Sequence, residues 1–132
     1  MKRRIRGVPD GYVTVQEMAK HLTDIEGWDA DQRWAVAHSI SALLIEKKII
    51  DCHKIPTGQH GTWVVSRSEA PFILMWRRVI DHLNIKGHRA FEVARQLLET
   101  PPDETGFREF EISPSVTCRI RDTNATMGLL SQ

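Results

Sequence analysis

The sequence lacks the features that mark membrane-spanning, secreted and disulfide-stapled proteins. Its longest apolar run, residues 71–76, is far too short to span a bilayer, and no apolar segment follows the basic start. Only two cysteines occur, Cys52 and Cys118, and neither belongs to a CxxC pair. These absences predict a reduced, cytoplasmic protein that does not contact the membrane.

Catalytic and metal-binding motifs are absent too. No GxGxxG, Walker A, HExxH or GxSxG pattern occurs, so nothing identifies a phosphate cradle or a nucleophile. Cys52, His53 and His60 do not have the spacing of a standard zinc site and lack a fourth ligand. Asp51, His53 and Ser66 are common residue types that a short strand pair brings close by chance. We therefore expect no enzyme activity, no metal and no cofactor.

The charge is nearly balanced. A formal net charge of +1 argues against loose binding to polyanions. The first six residues nevertheless contain Lys2, Arg3, Arg4 and Arg6. This run is either a solvated terminus or a flexible basic arm, residues 1–11, that contacts phosphates.

The pattern that is present predicts an α+β, mainly helical fold that begins with two helices. Thr14 is a good N-cap, and Glu17 completes a capping box. Gly27 ends this helix, so the connection, residues 23–30, is about twice the roughly 3–4 residues of a minimal helix-turn-helix turn. Helical periodicity resumes over residues 31–48. The predicted buried stripe comprises Val36, Ile40, Leu43 and Leu44, widened by Trp34 and Ala37.

A β-hairpin is predicted after the second helix. Its strands are the β-branched runs at residues 49–55 and 62–67, and the loop between them contains two glycines and a proline. Trp34, Trp63 and Trp76 occur in apolar periodic settings that predict core packing. Trp28, in the connection, is the best candidate for an exposed contact.

The second half of the chain predicts two further helices and a second hairpin. Residues 69–99 are predicted to form an αα-hairpin with surplus apolar surface, which either packs under the recognition helix or forms a dimer interface. The residues expected at the dimer interface are Phe72, Trp76, Val79 and Leu83. Residues 100–132 predict a linker, a small β-hairpin at 107–112 and 116–121, and a frayed tail.

Residues 12–68 resemble the winged helix-turn-helix superfamily. The resemblance rests on VTVQEMAKHL (13–22) for the first motif helix, SISALLIEKKII (39–50) for the end of the recognition helix and the start of the wing, and GTWVV (61–65) for the returning strand. It covers about half of the chain. It implies sequence-specific binding to double-stranded DNA, commonly by a homodimeric repressor of a phage, plasmid or bacterium.

On this interpretation three segments contact DNA. Small or hydrogen-bonding side chains on the recognition helix approach the bases, while the wing and the N-terminal arm meet phosphates. The candidate residues are Gln32, Arg33, His38, Ser39, Lys54, His60, Arg67, Arg3 and Arg4. The same side of the helix is also compatible with an ordinary solvent face.

A host protein is the alternative partner. The predicted recognition helix carries few basic side chains on its exposed side. Winged helices also act as protein-docking modules. The alternative function is therefore a mobile-element protein that binds and inhibits a host nucleic-acid enzyme.

Overall fold

A computed structural model describes residues 7–121 of the chain. The chain divides after Glu69 into two compact units, each of which combines helices with a small antiparallel sheet. The α+β class predicted from the sequence is confirmed. Within residues 7–121, no helix is long and apolar enough to cross a membrane.

The first unit begins with a strand and two successive helices and ends with a β-hairpin. Its elements are β1 (Tyr12–Thr14), α1 (Val15–Glu26), α2 (Ala30–Ser39) with a π-helical extension (Ile40–Ile45), β2 (Cys52–Ile55), β3 (Thr62–Ser66) and a 3-10 turn (Arg67–Glu69). β3 lies between β1 and β2 and pairs antiparallel with both. The predicted hairpin is present, and β1 joins it as a strand that the sequence analysis did not predict.

Helix α1 begins where the sequence predicts. The Thr14 hydroxyl accepts a hydrogen bond from the Glu17 N–H (3.1 Å), and the Glu17 carboxylate accepts one from the Thr14 N–H (3.1 Å). These two bonds form the predicted capping box. The buried face of α1 comprises Val15, Met18, Ala19 and Leu22. Contacts with α2 and β3 anchor this helix in the unit.

The turn between α1 and α2 is shorter than the sequence analysis predicts. Gly27 ends α1 in the left-handed conformation (φ 73°), and its N–H donates to the Thr23 carbonyl (2.7 Å). Asp29 then caps the start of α2. Because α1 continues past residue 23, the predicted connection of residues 23–30 is wrong, and only residues 27–29 separate the helices.

A π-helical turn moves the buried stripe of the second helix by one residue. Ordinary helical spacing continues the stripe from Ile40 to Leu43 and Leu44, as the sequence predicts. Ile40–Ile45 is instead a π-helix, whose wider turn accommodates one extra residue. The buried positions therefore move to Leu44 and Ile45, and Leu43 is 37% exposed.

The second unit is an αα-hairpin followed by a β-hairpin, as predicted. Its elements are α3 (Ala70–Leu83), α4 (His88–Glu99), β4 (Phe107–Ser113) and β5 (Val116–Arg121). Helices α3 and α4 pack together, and the rings of Trp76 and Phe91 stack with centroids 6.0 Å apart. The β-hairpin packs on both helices, since β4 contacts α4 and β5 contacts α3.

Arg108 connects β4 to the end of α4. Its side chain is buried, and Nη1 donates to the carbonyls of Leu97 (3.2 Å), Leu98 (3.0 Å) and Thr100 (2.6 Å). The last carbonyls of a helix lack partners within the helix and carry partial negative charge. The guanidinium therefore satisfies these carbonyls and holds the β-hairpin on α4.

The side chains predicted to form the dimer interface belong mostly to the interior of the single chain. Phe72, Trp76 and Val79 are buried, and Leu83 is half-buried. The Arg95 guanidinium lies 4.2 Å above the Phe72 ring. These side chains have little surface to offer a second copy, and dimer formation stays a prediction without a located interface.

The backbone conformation of Gly27 predicts which substitutions the turn tolerates. A Cβ at this position meets open space, so a substitution adds backbone strain without a clash. We expect Gly27→Ala to lower the free energy of unfolding by about 1–2 kcal/mol, the usual cost of a left-handed L-residue. Gly27→Asn should lose less, since asparagine tolerates this conformation. Urea unfolding followed by circular dichroism measures both, and equal stability of Gly27→Ala and the wild type would contradict the assignment.

Candidate nucleic-acid interface

Helix α2 exposes one side, which we call the outward face and define as Asp31, Trp34, Ala35 and His38. These residues are three or four positions apart along the helix and therefore share a face. Trp34 is 67% exposed, and its ring stacks on that of His38 with centroids 5.3 Å apart and planes 5° from parallel. The imidazole thus covers one face of the indole ring, and most of the remaining indole surface is exposed to solvent.

Two of the three tryptophans predicted to lie in the core are at the surface. Trp76 is buried as predicted, whereas Trp34 and Trp63 lie at the surface, 67% and 40% exposed. Trp34 precedes the buried Val36 by two residues, and a helical rotation of about 200° places it on the opposite side of the helix from Val36. Trp28, the predicted exposed contact, is half-buried.

Two residues predicted to approach bases use hydrogen-bonding groups within the chain. Gln32 Oε1 accepts from the Asp29 N–H (3.1 Å) and completes the cap of α2. The Ser39 hydroxyl donates to the Ala35 carbonyl (2.8 Å). Bidentate recognition of adenine uses both the oxygen and the NH2 group of a glutamine amide. The cap occupies the oxygen and leaves only the NH2 group for such a contact.

The other two predicted base-contacting residues lie on different sides of α2. Arg33 is exposed, but it precedes Val36 and Ala37 by three and four residues. It therefore lies on the same side of the helix as these buried residues, away from the outward face. His38 is exposed and belongs to the outward face. Of the four predicted base-contacting residues on α2, His38 alone is a member of that face.

The β2–β3 hairpin holds its loop in a defined shape. The Gly61 N–H donates to the Thr57 carbonyl (2.8 Å), and the hydroxyls of Thr57 and Thr62 are hydrogen bonded to each other. A Cβ on Gly61 would lie 2.9 Å from Lys54 Cε, so the lysine side chain crosses directly over this glycine. Lys54 is the cross-strand partner of Trp63, and both side chains are exposed.

The remaining predicted phosphate contacts flank this hairpin. His60 in the loop and Arg67 after β3 are both exposed. The Arg67 N–H donates to the Gly11 carbonyl (2.8 Å), which ties the end of the hairpin to the segment before β1. The predicted arm residues Arg3 and Arg4 lie outside the described residues.

A polar cluster links β1 to the start of β2. The Tyr12 hydroxyl donates to Asp51 Oδ2 (2.6 Å), and His53 Nε2 lies 3.1 Å from the Tyr12 oxygen and 3.7 Å from Asp51 Oδ1. The Asp51 N–H donates to the Glu69 carboxylate (2.6 Å). The hydrogen bond to Asp51, partial desolvation and the neighbouring negative charges raise the pKa of Tyr12 above its ordinary value.

The residues weighed as a hydrolytic set do not form one. The Ser66 hydroxyl is hydrogen bonded to the Ser68 hydroxyl (2.7 Å), whereas His53 contacts Tyr12. A serine nucleophile needs its hydroxyl bonded to a base that a third group orients. The contacts of Ser66 and His53 do not provide that arrangement.

Side chains that could hold a metal do not converge within residues 7–121. No group of three or more His, Cys, Asp or Glu residues in this part of the chain is placed to bind one ion. Cys52 and Cys118 are free thiols, and burial raises the pKa of both. Both thiols are therefore protonated at neutral pH and are weak nucleophiles.

Comparisons with known proteins give no relationship. No protein-family model, no curated protein and no solved structure matches the chain. A function must therefore be argued from the site itself.

The only tyrosine of the chain reports on the polar cluster. We expect the pKa of Tyr12 to lie above its ordinary value of about 10, because the phenol donates a hydrogen bond to the Asp51 carboxylate and that bond favours the protonated phenol. Since the folded-state pKa is the higher one, this bond stabilises the fold below pH 10 or so, and the stabilisation is lost as pH rises through the folded-state pKa. Ultraviolet titration of tyrosinate measures the midpoint.

The control for this titration is a variant that removes a different carboxylate of the same unit. Asp51→Ala should bring the midpoint down towards the ordinary value, whereas Asp31→Ala on the outward face of α2 should leave it unchanged. A midpoint that Asp51→Ala does not move would show that the Tyr12–Asp51 bond does not form in solution.

Proposed function

We propose that the first unit binds double-stranded DNA sequence-specifically, as a winged helix-turn-helix regulator of transcription. The observation that carries the proposal is the three-residue turn between α1 and α2. DNA-binding helix-turn-helix motifs join two helices through roughly 3–4 residues, often including a glycine, and place the second helix in the major groove. The left-handed Gly27 and the capped start of α2 fit this motif.

The order of the strands also supports the proposal. β3 pairs with β1 as well as β2, so the hairpin is attached to the strand that leads into α1. An isolated two-stranded hairpin is at best marginally stable, and the third strand gives this one support. The hairpin can therefore act as a wing in a fixed position relative to the helices.

The proposed contacts follow from this arrangement. The outward face of α2 approaches base edges, Lys54 on the wing and Arg67 beside it neutralise phosphates, and His60 in the loop forms a hydrogen bond with a phosphate. Arg3 and Arg4 of the basic arm add further phosphate contacts. Homodimers of such motifs place two recognition helices one helical turn of DNA apart, and a homodimeric repressor remains our prediction for this chain.

The salt dependence of binding tests the proposal. We expect the affinity of the full chain for mixed-sequence duplex DNA, measured by fluorescence anisotropy, to fall steeply with salt as counterions are released. The double variant Lys54→Ala/Arg67→Ala should bind more weakly, and its slope of log K against log salt should be shallower by about 2, one for each lost phosphate contact.

A double variant in the second unit is the matched control. Lys86→Ala/Arg121→Ala removes the same charge from exposed positions and should leave both the affinity and the slope unchanged. Binding that is absent at low salt, or equally weakened in the two variants, would contradict a wing that contacts phosphates.

Docking to a protein is the second candidate function, and the charge of the first unit favours it. Residues 7–69 contain six Lys or Arg against nine Asp or Glu, so this stretch is net negative, and only the four basic residues among the first six offset it. Exposed Trp34 is the kind of residue that anchors protein interfaces. A chain that binds no DNA at low salt, yet co-purifies one stoichiometric host protein unless Trp34→Ala is introduced, would establish this function instead.

A further inference from the structure

The outward face of α2 contains none of the side chains that pair bidentately with guanine or adenine. Its members are Asp31, Trp34, Ala35 and His38, and none of them is an arginine or lysine that could pair bidentately with guanine. The neighbouring Gln32 and Ser39 have committed groups to Asp29 and Ala35. Specificity at this surface therefore needs a different source.

Trp34 offers that source. Its indole is the most exposed of the large apolar side chains within the described residues, and the stacked ring of His38 limits its movement. The half-buried Ala35 beside it adds a small apolar surface that permits close approach. The indole of Trp34 thus presents a flat apolar plate on a face that also contains the polar Asp31 and His38.

The major groove contains one apolar group that such a plate can recognise. Each thymine exposes its C5-methyl group there, and apolar side chains distinguish thymine from the other bases by contacting it. Burial of a methyl group against an exposed indole removes apolar surface of both from water. The minor groove has no comparable group, since the C5 position of thymine lies in the major groove.

We propose that Trp34 reads thymine through its methyl group, with His38 as the residue that positions the indole. This inference rests on the proposed DNA-binding function and specifies what that function recognises. It predicts preferred sites in which one or more thymines face the outward face of α2. It also predicts that discrimination comes from apolar contact more than from hydrogen bonds.

Replacement of thymine by deoxyuridine tests the proposal. Rounds of selection with the full chain on a random duplex library first yield a preferred duplex. The same duplex is then made with deoxyuridine, which keeps every hydrogen-bonding group of thymine and lacks the methyl. We expect the wild type to bind the deoxyuridine duplex about fourfold more weakly for each methyl group contacted.

Two variants isolate the indole. Trp34→Ala should bind the thymine and deoxyuridine duplexes equally, and the exposure of Trp34 means that this change opens no core cavity. Trp34→Phe should keep a reduced preference for thymine. Circular dichroism of each variant confirms that the fold is retained.

The possible failures are distinguishable. If the wild type binds both duplexes equally, or if Trp34→Ala keeps the preference for thymine, methyl recognition by Trp34 is overturned while DNA binding stands. If selection enriches no duplex and binding shows no salt dependence, the proposed function is overturned together with the inference.

Discussion

The turn at residues 27–29 is the constraint on which the first unit depends. Gly27 ends α1 in a conformation that other residues rarely adopt, and Asp29 starts α2 immediately afterwards. Because the turn is so short, the buried face of α1 and the stripe of α2 meet in one core, and the opposite side of α2 must face solvent. The hydrogen bonds that cap the start of α2 also occupy the side-chain carbonyl of Gln32. The same cap therefore stabilises the helix and removes a group that could contact a base.

The sequence predicted the elements that caps and periodicity mark and missed those that depend on distant contacts. The capping box at Thr14, the bounds of α4 and both β-hairpins follow from local patterns. Strand β1 has three residues, too few for alternation to appear, and it is defined by pairing with β3. The π-helix at Ile40–Ile45 inserts one residue that no propensity reveals. The apolar character of Trp34 predicts a core position, whereas its i, i+4 spacing to His38, which is predicted on the exposed side, is consistent with the surface stack that the structure shows.

The candidate interface combines a hairpin that a third strand stabilises with few positively charged side chains. The strand order and the closed loop give the hairpin a fixed shape, and exposed Lys54 lies on it and exposed Arg67 directly after it. Non-specific affinity for DNA comes from phosphate neutralisation, which this part of the chain supplies sparingly. The proposed DNA binding would therefore gain little from loose association and would depend for discrimination on apolar contacts such as the one proposed for Trp34.

The most direct test of a DNA-binding first unit is to follow backbone amide NMR shifts of the full chain as mixed-sequence duplex DNA is added at low salt. We predict perturbations at the outward face of α2 and along the β2–β3 hairpin, with α4 and the β4–β5 hairpin unaffected. Perturbations confined to the second unit, or none at all, would contradict the account.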